Sequence, residues 1–468
     1  MILHWHRSDL RAVDNRGLAR AARDDRVLPL YVLDPTVLEH ASPVRVACLL
    51  EALGALRSWY RDRGGDVLVV RGDASEVLPA VATDRDAARV VWNEDVGGLA
   101  QRRDSAVRTA LEDVGVDHES VVDGLHHEPG SISPNEGEHY SVFSYFWKKW
   151  RDREKADPAA APTGEDLAGF EGERGSLPSV ADLGFEDPEA DPQPVTRTAA
   201  RERLEAFCSG PIYRYADDRD VPAAAGTSRL SVHFKWGTIG PREVYAATER
   251  AREDAESEAE RESVTAFRRQ LAFREFYAHV LAFNPESVTE NLKTGENAIE
   301  WRNDPDELAA WTTGETGYPI VDAGMRQLRT DGWVHNRVRM LAASFLTKDL
   351  LIDWRKGYDW YRRHLADHET ASDVAGWQWA ASTGADAQPY FRVFNPMKQG
   401  REYDPDAEYI REHVPELADV PAERIHEWDE LVPADRAELA PAYPEPIVDH
   451  SSRRSAAIEA FERASGGK

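Results

Sequence analysis

ILHWHRSDLRAVDN, residues 2–15, decides the fold: a short apolar run passes directly into a charged turn, the signature of a buried strand ending in a loop. Three further apolar runs follow, at residues 28–33 (LPLYVL), 67–70 (VLVV) and 90–92 (VVW), with helical patterns between them, as at 44–63. Strands alternating with helices predict an open, Rossmann-like, doubly wound parallel sheet. No G-x-G-x-x-G follows the first strand, so the ordinary dinucleotide fingerprint is absent and any ligand must be held differently.

Moving outward, residues 151–200 turn to Asp, Glu, Pro, Ala and Gly (REKADPAAAPTGED at 153–166, GFEDPEADPQP at 184–194), the composition of a surface linker. After residue 264 the pattern is helical and rich in Trp and Arg. A chain of 468 residues exceeds one compact core. We therefore expect an α/β domain over 1–130, a linker over 131–200 and an all-helical domain over 201–468. The acidic run ERAREDAESEAERES at 249–263 reads as a solvated helix or insertion.

Composition narrows the class. Hydrophobic residues make up 41% and charged residues 30% of the chain, and no apolar run is long enough for a bilayer. The N-terminal segment meets charge at Arg7, so no export signal is expected and a cytoplasmic location is. Cys48 and Cys208 cannot build a disulfide framework or a zinc ribbon. The net charge of −27 argues at first sight against nucleic acid. Only nine of the 57 basic residues are lysines, however, and acids are spread throughout, a pattern of salt-adapted proteins whose long-range fields are screened. Local charge is then the better guide.

Three stretches carry chemistry beyond packing. GTSRLS at 226–231 sets hydroxyls and amides on a turn before a helix, a phosphate cradle. HNRVRM places Asn336, Arg337, Arg339 and Met340 within about a turn of helix. GWQWAASTGADAQPYFRVFNP at 376–396 mixes aromatic and polar residues with no packing period. Between residues 323 and 363, nine basic residues face four acidic ones, which suits a phosphate backbone with an extruded base.

These stretches, with TGYPIVDAGMRQL (316–328), ASFLTKDLLIDWR (343–355), HRSDLRAVDN (6–15) and IVDH (447–450), resemble the photolyase/cryptochrome family, most nearly microbial class I cyclobutane pyrimidine dimer photolyases. The resemblance spans nearly the whole chain. It implies an N-terminal antenna domain, a C-terminal helical domain holding FAD, and blue-light-driven electron transfer that splits pyrimidine dimers flipped out of UV-damaged DNA. It implies FAD contacts from Tyr215, Thr227, Ser228, Arg229, Leu230, Ser231, Phe267, Arg274, Trp333, Arg339, Asp367, His368, Glu369 and Asp373. Trp301, Trp354 and Trp377 match an electron-transfer chain, and Arg219, Gln270, Phe273, Asn336, Arg337, Met340, Trp379 and Gln399 match dimer or DNA contacts. Met340 stands where (6–4) enzymes carry His, which favours the cyclobutane lesion. A monomer with no membrane partner is expected.

Departures bear on function. Phe267 and Phe273 replace usual tryptophans, and Gln270 replaces a glutamate that could protonate or stabilise the dimer anion. Asp373 falls where photolyases place Asn against flavin N5, and Glu369 replaces an Asp. An ionised Asp373 would repel reduced flavin, a protonated one would offer it a proton as in plant cryptochromes, and one turned aside would leave repair intact. A cryptochrome-like receptor is thus the alternative to the repair enzyme. The short tail after residue 450 favours the enzyme.

For a second chromophore, folate-binding members use an Asn-Glu pair where Leu99 and Ala100 stand. Leu33, Asp34, Arg45, Asp95 and Lys235 fit the deazaflavin pattern better, although Gly97 replaces one acidic contact. The expectation is 8-hydroxy-5-deazaflavin rather than methenyltetrahydrofolate. His364, His368 and Glu369 have helical ligand spacing but no third distant ligand, so no metal is expected. His126 and His127 read as surface histidines.

Overall fold

The computed structural model describes residues 1–169, 176–293, 295 and 298–466. Strands β1 (Ile2–His6), β2 (Val27–Leu33), β3 (Leu68–Arg71), β4 (Arg89–Asn93) and β5 (Asp117–Val121) form a parallel sheet in the order β3-β2-β1-β4-β5. Leu3 sits between Leu28 and Val90 in register. Pleating sends Leu3, Trp5, Leu28 and Leu30 to a core shared with Leu78, Val107 and Leu111. Ile2, Val27, Tyr31 and Leu33 enter the opposite core with Leu18 and the helix Pro43–Arg61. Helices thus cover both faces, as the continuous apolar runs require.

β5 is a strand the apolar pattern does not reveal. Its sequence, DHESV, is half exposed at the sheet edge, and its pairing with β4 is a backbone property. Arg89 pairs with Asp117 (2.7 Å) and Glu119 (3.4 Å) and so offsets the acidic edge. The strand order reverses between β1 and β4, which opens a crevice beyond their C-terminal ends.

The segment expected as a linker carries the helix Phe143–Asp152, whose Phe143, Phe146 and Trp150 share a core with Phe267 and Phe276. Further on, Leu167, Leu183 and Val195 anchor it to the sheet core. Residues 170–175 of this segment, and 467–468 at the end of the tail, lie outside the described ones. The acidic run at 249–263 ends the helix Pro241–Asp254 and begins Glu258–Phe283, where Ser257 Oγ accepts from the Glu260 amide. Glu258 and Glu260 in that first turn suit the positive end of the helix dipole.

The second half is helical to residue 464, and no helix among the described residues is long and apolar enough to cross a membrane. The halves meet on buried charge. Arg242 donates to Asp14 Oδ1 (2.5 Å) and Asp123 Oδ1 (2.6 Å), and Arg11 also pairs with Asp123. Gly237 permits the approach. Its φ is +62°, and a Cβ there would meet the Ser8 carbonyl oxygen at 2.1 Å.

Candidate functional site

A cleft of about 1020 Å³ opens in the helical half. One wall is the helix Glu258–Phe283, which presents Phe267, Gln270, Phe273 and Arg274 along successive turns. The turn carrying Thr227, Ser228, Arg229, Leu230 and Ser231 forms a second side, with Tyr215 and Arg219 beside it. Trp333, Asn336, Arg337, Arg339 and Met340 enter from the start of the helix Asn336–Ser344, and Asp367, Glu369, Asp373 and Trp379 from the segment leading through Thr370–Ala380. Four stretches far apart in sequence therefore converge. His368 sits behind this wall rather than in it, and Gln399, donating to Glu402 at 3.1 Å, lies outside the lining.

Charge inside the cleft is organised. Arg339 Nη2 reaches both oxygens of Asp367 (3.0 and 2.8 Å), while Nε donates to the Val334 carbonyl (2.8 Å). Such pairing offsets the cost of burying the guanidinium. Asp373 is turned onto the His368 Nδ1–H (2.6 Å) and the Glu369 amide (3.0 Å), with Arg339 at 3.7 Å. Burial alone would raise its pKa, but His368, Arg339 and the amide outweigh burial and hold the carboxyl below its usual range. This geometry speaks against the protonated state and for a carboxylate turned onto His368, with the Arg339 charge nearby. Arg274 bonds Glu369 (2.5 Å) and the Gly124 carbonyl (2.8 Å), and so links cleft and α/β half.

The cleft also has unspent donors. Arg219, Arg229, Arg274 and Arg337 each line it with a buried Nε that has no hydrogen-bond partner among the described residues, Arg219 Nε lying 3.7 Å from Asp220. Arg229 adopts φ +49° and lays its guanidinium 4.0 Å over the Trp333 ring. Arg229 and Arg274, a hydroxyl-bearing turn and the aromatic walls of Tyr215, Phe267 and Trp333 fit an aromatic cofactor with a diphosphate. The Tyr215 hydroxyl is pushed up to about 12 by burial and stays protonated as a donor.

Behind the cleft, Trp377 and Trp354 are buried and Trp301 is half exposed. The Trp377 ring lies over Gly357, where a Cβ would come within 2.2 Å of it, and Trp354 sits one turn earlier on the same helix face. Trp354 Nε1 donates to Asn291 Oδ1 (2.9 Å), while Trp301 packs at 5.9 Å on Phe461 near the surface. Tyr361 (5.0 Å) and Trp311 (6.0 Å) complete the shell around Trp377.

A second cleft of about 820 Å³ lies at the β1/β4 crevice, bounded by Phe234, Lys235, Arg274 and Glu369 from the helical half. Of the residues expected to hold a second chromophore, Asp95 and Lys235 line it and Leu33, Asp34 and Arg45 do not. Burial would raise Asp95, but Arg7, the Gly97 amide and Lys235 bring it below the usual carboxylate range. Arg103 approaches Asp34 at 3.6 Å, and Arg45 donates to the His40 carbonyl at 2.6 Å.

Two histidine readings need correcting. His126 and His127 are tucked against Trp150, their backbone amides both donating to the buried Glu275 (2.8 and 3.0 Å). His364 ends the helix Trp354–His364, and His368 and Glu369 lie beyond it, so the three do not share a helix face. Among the described residues the group with converging metal-type ligands is His4, His6 and Asp9, but Asp9 is already bonded by Asn15, Asn93 and the Arg7 amide. Sequence reasoning missed Trp147, Arg269 and Asp386 on the cleft rim, because no motif marks them.

Comparison with known proteins follows the same division. Residues 2–163 match the family model for DNA photolyase, and 267–463 match the FAD binding domain of DNA photolyase. The chain is 58% identical to the deoxyribodipyrimidine photo-lyase of Halobacterium salinarum, over 100% of both chains. Among solved structures, a bacterial class III photolyase from Agrobacterium tumefaciens superposes with TM-score 0.89 at 35% identity, covering 99% of this chain and 98% of that one. The archaeal photolyase from Sulfolobus tokodaii, described with two FAD molecules, gives 0.83 at 31%, covering 99% of both.

Proposed function

The chain belongs to the DNA photolyase family, and from that premise we propose that it is a deoxyribodipyrimidine photo-lyase acting on cyclobutane dimers in UV-damaged DNA. The observation that carries the reading is the convergence of a cofactor-shaped set of donors with Asn336, Arg337, Met340 and Trp379 on one cleft. FAD, when bound and reduced, supplies the light-driven electron that opens the cyclobutane ring. Arg229, Arg274 and the Thr227–Ser231 hydroxyls hold the cofactor's phosphates and chain, Tyr215, Phe267 and Trp333 pack its apolar parts, and Arg219 is kept for the DNA. Arg339, fixed by Asp367, keeps a positive group at the cofactor's edge. Trp379, Met340 and Phe273 give the flipped dimer apolar contact, Gln270 and Asn336 hydrogen-bond it, and Arg337 and Gln399 meet the backbone. Trp377, Trp354 and Trp301 carry electrons inward from the surface.

Asp373, held by the His368 hydrogen bond with Arg339 nearby, favours repair over a receptor-only role, which draws support only from the altered Phe267, Gln270, Phe273 and Asp373 positions. The crevice, with Asp95, Arg7 and Lys235 in its lining, suits a second chromophore; 8-hydroxy-5-deazaflavin remains our assignment, and a second FAD is the rival suggested by the Sulfolobus tokodaii relative. We assign 1–130 to the antenna unit, 131–200 to the connection and 201–468 to the catalytic unit, in a cytoplasmic monomer. Lesion choice is tested with oligonucleotides carrying either a cyclobutane dimer or a (6–4) product. Light-dependent loss of the first alone is expected, and repair of the (6–4) product alone would reverse the assignment.

A further inference from the structure

We propose that the helix Phe143–Asp152 is a docking platform for the DNA strand beside the flipped lesion. This rests on the photolyase reading and extends it to a face outside the cleft. The helix reads FSYFWKKWRD and so holds two of the nine lysines in a chain of net charge −27. Its inner face is fixed: Phe143 stacks on Phe273 of the cleft wall at 3.3 Å, and Phe146 and Trp150 are buried. Trp147 lines the cleft, and the Asp386 amide of the opposite rim donates to the Ser141 carbonyl at 2.9 Å, so the helix abuts the cleft mouth.

The outer face is unlike the rest of this acidic surface. Tyr145 is 57% exposed, with Lys148 Nζ 5.9 Å above its ring, and its ring stacks on Tyr140 at 6.4 Å. Lys149 lies 5.4 Å over Tyr140 and donates to the Ser133 carbonyl at 2.8 Å, and it has no carboxylate partner among the described residues. Lys148 makes no ion pair among the described residues. Residues 145, 148 and 149 share one helix face. Glu136 and Glu138 in the preceding loop are exposed, so the lysines must outweigh them for an anionic strand to pass there. Aromatic rings interleaved with free cations bind nucleic acid by stacking and by phosphate contact, and stacking persists in the concentrated salt this composition implies.

The test measures binding of holoenzyme, in the dark, to a fluorescent duplex carrying one thymine dimer, across a series of KCl concentrations. Lys148→Gln with Lys149→Gln should weaken binding and flatten the dependence of log affinity on log salt by about one to two units. Tyr145→Ala should weaken binding about tenfold at every salt concentration. Both variants should repair an isolated thymine-dimer dinucleotide as well as the parent does, since it reaches only the cleft, and retained FAD absorbance shows that they fold. Unchanged duplex affinity and salt slope in the variants, with the parent binding normally, would overturn the platform alone. A parent that fails to bind the damaged duplex would overturn the platform together with the photolyase reading.

Discussion

Asp373 shows how one side chain sets the character of a site. Its place in the motif was legible in the sequence; its orientation was not, because that depends on His368 and Arg339 reaching it in space. Asp373→Asn keeps a partner for His368 but removes a buried charge beside the cofactor edge. We expect altered photoreduction of bound FAD, read from its absorption under blue light; an unchanged spectrum would mean that the carboxylate does not tune the cofactor. Asp367 is the complementary case. Asp367→Ala takes the bidentate partner from Arg339 and should cost about 3–5 kcal/mol of stability. Urea unfolding of the variant checks this, and a loss within error would contradict it.

At the scale of elements, local pattern located what packing made regular. The parallel strands were visible as apolar runs, whereas β5 was not, since an edge strand needs no apolar side chains. The helix Phe143–Asp152 lay hidden in a stretch judged by its Pro- and acid-rich continuation. The turn after the helix Asn336–Ser344 hides another feature: a single π-type turn, Phe345–Asp349, buries Lys348 beneath the C-terminal helix. Lys348 donates to Ser382 Oγ (2.8 Å) and sits 3.4 Å over Phe461, while the neighbouring Asp349 is taken by His450 (2.5 Å). Burial brings Lys348 down from 10.5 to about 7. Between those values the unfolded chain binds more protons than the folded one, so this residue's penalty is greatest below pH 7 and is relieved as pH rises. Lys348→Met should therefore stabilise the protein by about 1–4 kcal/mol near neutral pH, with the gain shrinking toward pH 10.5. Chemical denaturation at the two pH values checks it; a gain independent of pH would show that Lys348 is not the titrating group. For the tryptophans proposed as electron carriers, Trp354→Phe keeps the packing beside Trp377 and would remove the proposed redox step. It should slow FAD photoreduction at least tenfold with little change in stability, followed by flash absorption.

For the whole molecule, the two halves are joined by charge that no single segment announces. Arg242 lies more than a hundred residues from Asp14 and Asp123, so their meeting is a consequence of the fold. Arg242→Ala leaves two buried carboxylates short of a partner and should cost about 3–5 kcal/mol, measurable by denaturant unfolding. Family and main cleft were readable because their motifs hold local spacing; the second cleft at the strand-order reversal was readable only at Asp95 and Lys235, because its lining comes from both halves. The central claim is light-driven repair. It is tested by following an oligonucleotide with a single cyclobutane thymine dimer, using purified, reduced holoenzyme in high salt under blue light with a dark control. The account predicts restoration of adjacent thymines in the light and none in the dark. Bound reduced FAD and bound lesion without repair would contradict it and leave a light receptor built on the same fold.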